Sequence, residues 1–334
     1  MGVIGKKGLE SNWGKKGMQR FRIQVDPLTP KRGIFYELKK NRILYLMFLP
    51  IAIYFFVLYY LPMTGIVVAF KEFNYRDGIF MSPWIGLKNF EYFFFSGKAW
   101  QVTRNTVLYN LAFLGGYIFF SMTVAVLVSE MSGKYIKKAA QTFMFLPYFV
   151  SWVVVTAFVY NFLNYDYGIF NNFLAKFGIA PLNISIEPSY WYFLLPFLYV
   201  WKWVGFGSVI YLAAIMGINQ EIYEAAIIDG ANIFQKVFRI TVPMLKPITA
   251  ILLLLGLGRV LRGEFEMFYQ LIGNNGLLFE ATDIIDTLVF RSLMWAQDFG
   301  MASAAGLYQS VLCFVIIVVV NALVKRYDKD YALF

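Results

Sequence analysis

Residues 224–247, EAAIIDGANIFQKVFRITVPMLKP, decide how this chain is built. The stretch lies between two long apolar runs, yet it is charged and holds a glycine in its middle. Residues 223–228 read as a short helix, Asp229-Gly230 interrupts it, and residues 231–240 predict a second helix with Phe234, Val237 and Phe238 on its apolar side. Gly230 is the hinge, because glycine takes positive φ without a side-chain clash. The small Ala225, Ala226 and Ala231 allow another backbone to come close, as a knob pressed into a groove requires. Pro243 and Pro247 are expected to end the second helix and to start the next span. A charged helix–glycine–helix loop between membrane spans has little reason to exist unless something docks on it.

Composition gives the class independently. Of the 334 residues, 59% are hydrophobic and 20% aromatic, mean hydropathy is +0.59, and several apolar runs exceed the roughly 18–20 residues that cross a hydrocarbon core. This predicts an all-α integral membrane protein. Six spans are expected near residues 43–70, 106–128, 142–163, 192–216, 247–271 and 307–324. The first contains Pro50 and Pro62, both expected to kink it, and its length leaves room for tilt. It is also too long for a signal peptide and lacks a small-residue cleavage site. The organisation that follows is a basic tail (residues 1–42), a six-span domain (43–324) with the charged loop at 219–247, and a short C-terminal tail (325–334).

Several chemistries are excluded. There is no histidine, and Cys313 is the only cysteine, so histidine triads, a zinc cluster and an internal disulfide have no residues to use. No GxxxxGK[ST] phosphate loop is present, so the chain does not bind ATP in that manner. No metal or cofactor site is expected.

Lys and Arg set the orientation. With the N-terminus inside, the tail, the C-terminus and the loops after spans two and four hold twenty of them, against seven in the opposite segments. Both termini and the 224–247 loop are thereby assigned to the cytoplasm. The tail's Lys6, Lys7, Lys15, Lys16, Arg20, Arg22, Lys31, Arg32, Lys39, Lys40 and Arg42 serve as an orientation signal, attracted to anionic lipid by about 1 kcal/mol per residue near the surface. Nucleic acid is not expected as a partner, because the aromatics interleave with lipid spans rather than with this charge.

Glu224, Ala225, Ala226, Asp229, Gly230, Ala231, Phe238, Ile240, Pro243 and Pro247 closely resemble the cytoplasmic coupling loop of ABC importer permeases. GLKNF at 86–90, Asn105-Thr106, LPYFVSWVVV at 146–155 and TDIIDTLVFRSL at 282–293 extend the resemblance over nearly all of the chain after the tail. They resemble the six-span carbohydrate-uptake permeases, of the maltose-F-like type and the polysaccharide-fragment branch. The ending KRYDKDYALF lacks the glycine-ended tail typical of the maltose-G-like partner. The resemblance implies the type I ABC importer permease fold in a bacterial cell membrane. It also implies a second permease subunit, two ATP-binding subunits, an extracellular or periplasmic solute-binding protein and an oligosaccharide cargo. On it, Glu224, Ala225, Ala226, Asp229, Gly230, Ala231, Phe238 and Pro243 couple the chain to the ATPases, which alone hydrolyse ATP.

Charges inside the spans are the candidates for the transport pathway. Lys202 lies about 15 Å into span four, flanked by Trp201 and Trp203. That arrangement suits either a sugar or uronate stacked on the rings, or a lysine paired with a carboxylate of another helix. Span five holds Arg259, Arg262, Glu264 and Glu266. Residues 247–261 cover only about 21 Å, so some of these charges lie at membrane depth and face protein or water. Arg262 and Glu266 are spaced to pair along a helix. Gly256, Gly258 and Gly263 supply small surfaces for close crossing, as at an interface with a second permease. In the outer segment 272–306, Thr282 is expected to cap a surface helix, with Asp283 and Asp286 in its first turns and Ile284, Ile285, Leu288 and Val289 on its apolar side. Such a helix suits either receptor contact or closure of the vestibule.

Three other classes compete. A secondary transporter would show inverted repeats around an ion site, and none is visible. A membrane enzyme would need an acidic constellation, and helix capping accounts for Glu280, Asp283 and Asp286 more simply. An ABC permease for another solute class would share the coupling loop, but residues 146–155 and 282–293 favour saccharides.

Overall fold

A computed structural model describes residues 39–327. Most of the basic tail and residues 328–334 lie outside the described residues. The chain divides into two units at Met63 and Thr64.

The first unit is a helix. α1 (Arg42–Phe55) carries Pro50 inside it, runs into a π turn at Phe56–Tyr60, and ends in Leu61–Met63. None of these residues is buried, as befits a span that is apolar all round. The π turn stands immediately before Pro62. A proline ring collides with the carbonyl four residues back, here that of Leu58, and a wider turn lets that carbonyl move aside. The same device recurs in the second unit, where a π turn at Val237–Thr241 precedes Pro243.

The second unit opens with a 3-10 stretch, Thr64–Phe70, that completes the Arg42–Phe70 span. Then follow α2 (Lys88–Phe95), α3 (Lys98–Glu130), α4 (Lys134–Phe145), α5 (Trp152–Phe162), α6 (Ile169–Lys176), α7 (Trp191–Met216), α8 (Gln220–Ile228), α9 (Ile233–Lys236), α10 (Lys246–Leu257), α11 (Phe265–Ile272), α12 (Ile285–Met294) and α13 (Phe299–Tyr327). Among the described residues, the only extended pairing is an isolated bridge between Lys71 and Trp84.

Four spans are unbroken: Arg42–Phe70, α3, Pro188–Met216 and α13. The third and fifth differ from the straight helices expected. Lys134–Phe149 and Trp152–Phe162 meet at 95°, and Ile233–Met244 and Lys246–Leu257 meet at 52°. Span five was expected to run to residue 271, but α10 stops at Leu257 and the chain turns through residues 258–264 before α11 resumes. Gly256, Gly258 and Gly263 weaken the helix there, and the charges at 259, 262 and 264 leave the hydrocarbon-facing pattern. The second bend falls at Leu245, with Pro247 in the first turn of α10. Pro243 therefore sits inside the preceding helix rather than ending it.

Three buried clusters hold the second unit together. One joins α3, α5, α7 and α11 around Tyr109, Trp152, Trp191, Leu195 and Phe268. A second joins α2, α3, α12 and α13 around Phe93, Val260, Leu261, Ile285 and Leu288. A third, around Ala125, Tyr211, Leu212 and Leu245, joins α3, α7 and the start of α10. In lipid there is little hydrophobic drive between helices, so close approach matters more. At Gly205 an added Cβ would fall on the Met144 carbonyl, at Gly207 on Ser121 and Tyr117, and at Gly116 it would come within 2.7 Å of Val200.

Gly205→Val is therefore expected to destabilise the fold by at least the ~1–3 kcal/mol typical of overpacking, because the obstacle is backbone. Gly115→Ala, with nothing within 4 Å, is expected to be neutral. Thermal unfolding in detergent, followed by size-exclusion chromatography, checks the pair.

Candidate functional site

The charged loop folds as a helical hairpin whose turn is fixed by local chemistry. Asn219 caps α8 by accepting the Glu221 N–H. At its other end Gly230 adopts φ +77°. The Gly230 N–H bonds to Ile227 O at 3.0 Å and the Ala231 N–H to Ala226 O at 2.8 Å. These are the two bonds of a Schellman motif, which uses glycine in the left-handed region to close a helix. Asn232 then opens α9 with a reciprocal capping box: its side chain accepts the Gln235 N–H at 2.9 Å, and Gln235 accepts the Asn232 N–H at 2.8 Å. The second helix thus begins at Ile233, not at Ala231, and the N-x-x-Q signal at 232–235 was there to be read.

α8 has no buried residue, and Ile227, Ile228, Ile233 and Phe234 are all exposed around the turn. A tether between the hydroxyls of Tyr223 and Thr241, 2.9 Å apart, holds α8 to the following helix. Glu224 and Ala225 lie exposed on α8, Ala226 is half-buried, and Asp229, Gly230 and Ala231 form the turn. Phe238 and Pro243 stand apart from the tip. Pro243 lines an open cleft of about 430 Å³ with Ile222, Arg239 and Met244. Phe238 lines a separate apolar groove of about 480 Å³ against Phe119, Val126 and Leu127 of α3, near the 3.7 Å ion pair of Lys236 with Glu130.

At the span-three break, the sequence LPYFVS turns from a 3-10 stretch, Leu146–Phe149, into α5, capped by Ser151. Lys202, 6% exposed, reaches this corner from α7. Its ammonium donates to the carbonyls of Tyr148 at 3.2 Å and Pro147 at 3.5 Å and, at closest range, to that of Val150. Trp152 lies 5.3 Å from it, ring face toward the charge. Among the described residues no carboxylate forms an ion pair with Lys202, so in place of the carboxylate pairing, one of the two alternatives, stand backbone carbonyls. The aromatic partner is Trp152, not the flanking pair: Trp201 points outward, 40% exposed, and Trp203 joins Tyr148, Tyr199 and Phe206.

At the span-five break, Arg259, Arg262 and Glu266 are exposed and Glu264 is half-buried beside the indole of Trp152 and near Lys202. Because residues 258–264 are not helical, Arg262 and Glu266 lose the helical spacing expected to pair them, and they form no ion pair. The two breaks meet at the Trp152–Lys202–Glu264 group. Along α7 and α3 runs a ladder of rings: Tyr192 stacks on Tyr109, Phe113 on Tyr199 at 4.4 Å, and Tyr148 on Phe206 at 5.1 Å. Within it the Tyr109 hydroxyl and the Trp203 indole N–H are buried without a hydrogen-bond partner among the described residues.

In the segment 272–306, Thr282 does not cap α12. It ends the preceding short helix and donates to Leu278 O at 2.8 Å. The capping hydroxyl is that of Thr287, which accepts the Ile284 N–H at 3.0 Å. Asp283 instead forms a 2.6 Å ion pair with Arg291, whose guanidinium lies 3.9 Å over the Phe279 ring. Asp286 accepts the N–H of Gly263 and the amide of Gln309. Burial pushes the Asp286 carboxyl above its usual range, against the pull of those two donors.

Residues 118–329 match the family described as the binding-protein-dependent transport system inner membrane component. The chain belongs to this family. The permease is 32% identical over 302 residues to the polygalacturonan/rhamnogalacturonan transport system permease protein YteP of Bacillus subtilis, covering 90% of this chain and 93% of that one. It is 30% identical over 292 residues to the trehalose/maltose transport system permease protein MalF of Thermococcus litoralis, covering 86% and 94%. Its fold matches a chain of a bacterial ABC transporter involved in import of the acidic polysaccharide alginate, with TM-score 0.79, 33% identity, and coverage of 88% and 99%. Membership identifies a transport subunit of the inner membrane and removes the secondary-transporter and membrane-enzyme readings.

In this permease Lys202→Met removes the ammonium that bridges three carbonyls at a helix break. The expected cost is about 1.5–3 kcal/mol, the range for hydrogen bonds to a charged group, with Lys202→Arg recovering part of it. Melting temperatures of the two variants in the same lipid nanodiscs measure this.

Proposed function

We propose that this permease is the maltose-F-like half of an ATP-driven importer for oligosaccharides, uronate-containing ones among them, working by alternating access. The exposed apolar hairpin at Gly230 carries the reading. A hairpin with no buried residue, stiffened by a Schellman motif and a capping box, is built to be pressed by a partner. Charge asymmetry supports a cytoplasmic position for it and for both termini, where two ATP-binding subunits would engage Glu224, Ala225, Ala226, Asp229, Gly230 and Ala231, with Phe238 and Pro243 seating the hairpin from behind. A second permease completes the pathway, and a solute-binding protein delivers the sugar from outside. A solved structure of the alginate importer holds an alginate pentasaccharide-bound periplasmic protein, and its matching chain is 32% identical to this one, covering 89% and 98%.

The cargo class follows from chemistry as well as kinship. The exposed rings of Tyr192, Trp201 and Phe206 on α7 offer flat apolar faces to sugar rings. Trp201, Lys202, Trp203, Arg259, Arg262 and Glu264 are the polar and aromatic groups we assign to the pathway. Lys202 acts there by shaping the wall, since its ammonium is already taken up by carbonyls. The exposed Arg259 and Arg262 are the groups free to meet a carboxylated sugar. ATP-driven closure of the partner subunits would move the hairpin, and with it the bent helix of span five.

Gly230→Pro forces φ near −65° and deletes the N–H bonded to Ile227, so the Schellman turn is lost. This variant and Glu224→Ala are expected to leave an assembled complex that hydrolyses ATP without uptake, with transport down at least ~10-fold. Parallel assays of labelled oligogalacturonate uptake and ATP hydrolysis check this, and normal transport at normal expression would sink the coupling assignment. Affinity purification of the tagged permease from its host, followed by mass spectrometry, should recover a second permease, an ATPase and a solute receptor.

A further inference from the structure

Asp286 has no role in the docking hairpin and none in the sugar pathway, yet it joins three elements at one oxygen. Its Oδ2 accepts the backbone N–H of Gly263 at 2.8 Å and the side-chain amide of Gln309 at 3.0 Å. The same Gln309 nitrogen donates to Leu261 O at 2.7 Å. Outer helix α12, the turn at 258–264 and span-six helix α13 are thus fastened together. The joint is packed as well as bonded. Val260 and Leu261 are buried in one cluster with Ile285, Leu288, Met301 and Ala305. A Cβ at Gly263 would run into Ile284 and stand 2.9 Å from Asp286 Oδ2.

The start of α12 is held just as firmly to α3. Thr106 Oγ1 accepts the Ile285 N–H at 3.0 Å, and the Asn105 amide donates to Asp283 O at 3.1 Å and Glu280 O at 3.0 Å. On the other side of the joint, the turn carries Arg259, Arg262 and Glu264. It continues directly into α10, whose 12 residues make a rod of about 18 Å. That rod leads through the bend at Leu245 to the hairpin at Gly230. The outer helix and the docking hairpin therefore sit at the two ends of one broken span, with Asp286 as the fastening at the outer end.

We propose that Asp286 is a positioning residue that makes α12 and the charged turn of span five move as one body, so that a solute receptor engaging the outer face is sensed at the hairpin. The proposal rests on the importer reading above. A joint of this kind transmits displacement because both sides are packed and neither can yield alone.

The test uses the whole importer, this permease with its second permease and two ATPase subunits, in nanodiscs, with its receptor loaded with oligogalacturonate. ATP hydrolysis is measured with and without the loaded receptor. Asp286→Ala should lower the receptor-stimulated part about tenfold, within the range of allosteric couplings, while the receptor-independent rate stays near wild type. Hydrogen exchange at the Gly263 amide should quicken in the same variant. Asp286→Asn, whose Oδ1 still accepts that N–H, should keep most of the stimulation. Gly263→Ala leaves every polar partner in place but wedges the joint open, and should behave like Asp286→Ala; it decides the matter if Asp286→Ala fails to assemble. Wild-type stimulation in both Asp286→Ala and Gly263→Ala would overturn the proposal, even if their melting temperatures fall, because a merely structural joint lowers stability without changing the stimulation of assembled complexes. Absence of stimulation in the wild type would instead sink the importer reading itself, and the proposal with it.

Discussion

A backbone that breaks its helix inside a membrane must still find partners for every freed N–H and C=O, since the hydrocarbon offers none. That constraint organises this permease. Two of its six apolar segments are broken, and each break is stitched by a side chain from elsewhere. At span three the carbonyls of Tyr148 and Val150, and that of Pro147 which also accepts the Val150 N–H, converge on the ammonium of Lys202. At span five the freed Gly263 N–H and Leu261 carbonyl are taken by Asp286 and Gln309. A buried lysine and a half-buried aspartate, each costly alone, are retained because the alternative is bare backbone in lipid. The same stitches bring Lys202, Trp152 and Glu264 together, so the polar centre of the pathway we propose is a by-product of repairing two helices.

This explains which parts were legible in the sequence. Apolar run length is a strong signal, and it located the four unbroken spans and part of each bent pair. The hairpin was also legible, because Gly230 and its alanines act locally, through φ and steric size, and the Asn232–Gln235 capping box could have refined its second helix. Helix breaks are harder. Residues 142–163 and 247–271 each read as one apolar helix, since hydropathy averages over a bend, and the three glycines of span five suggest close crossing as readily as a turn. The partner of Lys202 was beyond reach for a different reason. Backbone carbonyls have no sequence signature, so a search for carboxylates on other helices looks for the wrong chemistry. Thr282 and Asp283 in TDIIDTLVFRSL read as capping residues by spacing alone, and only tertiary contact shows Asp283 with Arg291 and the cap passing to Thr287.

The two breaks are not equivalent mechanically. Span three is stitched from α7, which packs on α3 through Gly116 and Gly207 and on the end of α4 through Gly205 with almost no slack, so its corner belongs to the rigid part of the bundle. Span five is stitched from outside, by α12 and α13, and its other end leaves the core at Leu245 to form an exposed hairpin. One end of this span is thus fastened to α12 and α13 and the other runs into the exposed hairpin, and the fastened turn carries the charges we propose for the pathway. A segment with these properties is suited to pass a displacement from the fastened turn to the hairpin, because its glycines at 256 and 263 are packed closely against Leu114 and Ile284. Stiffness at the hairpin then becomes necessary. A soft turn at Gly230 would absorb the push of a docked partner, whereas a helix closed by two backbone bonds and followed at once by a capped helix passes it on.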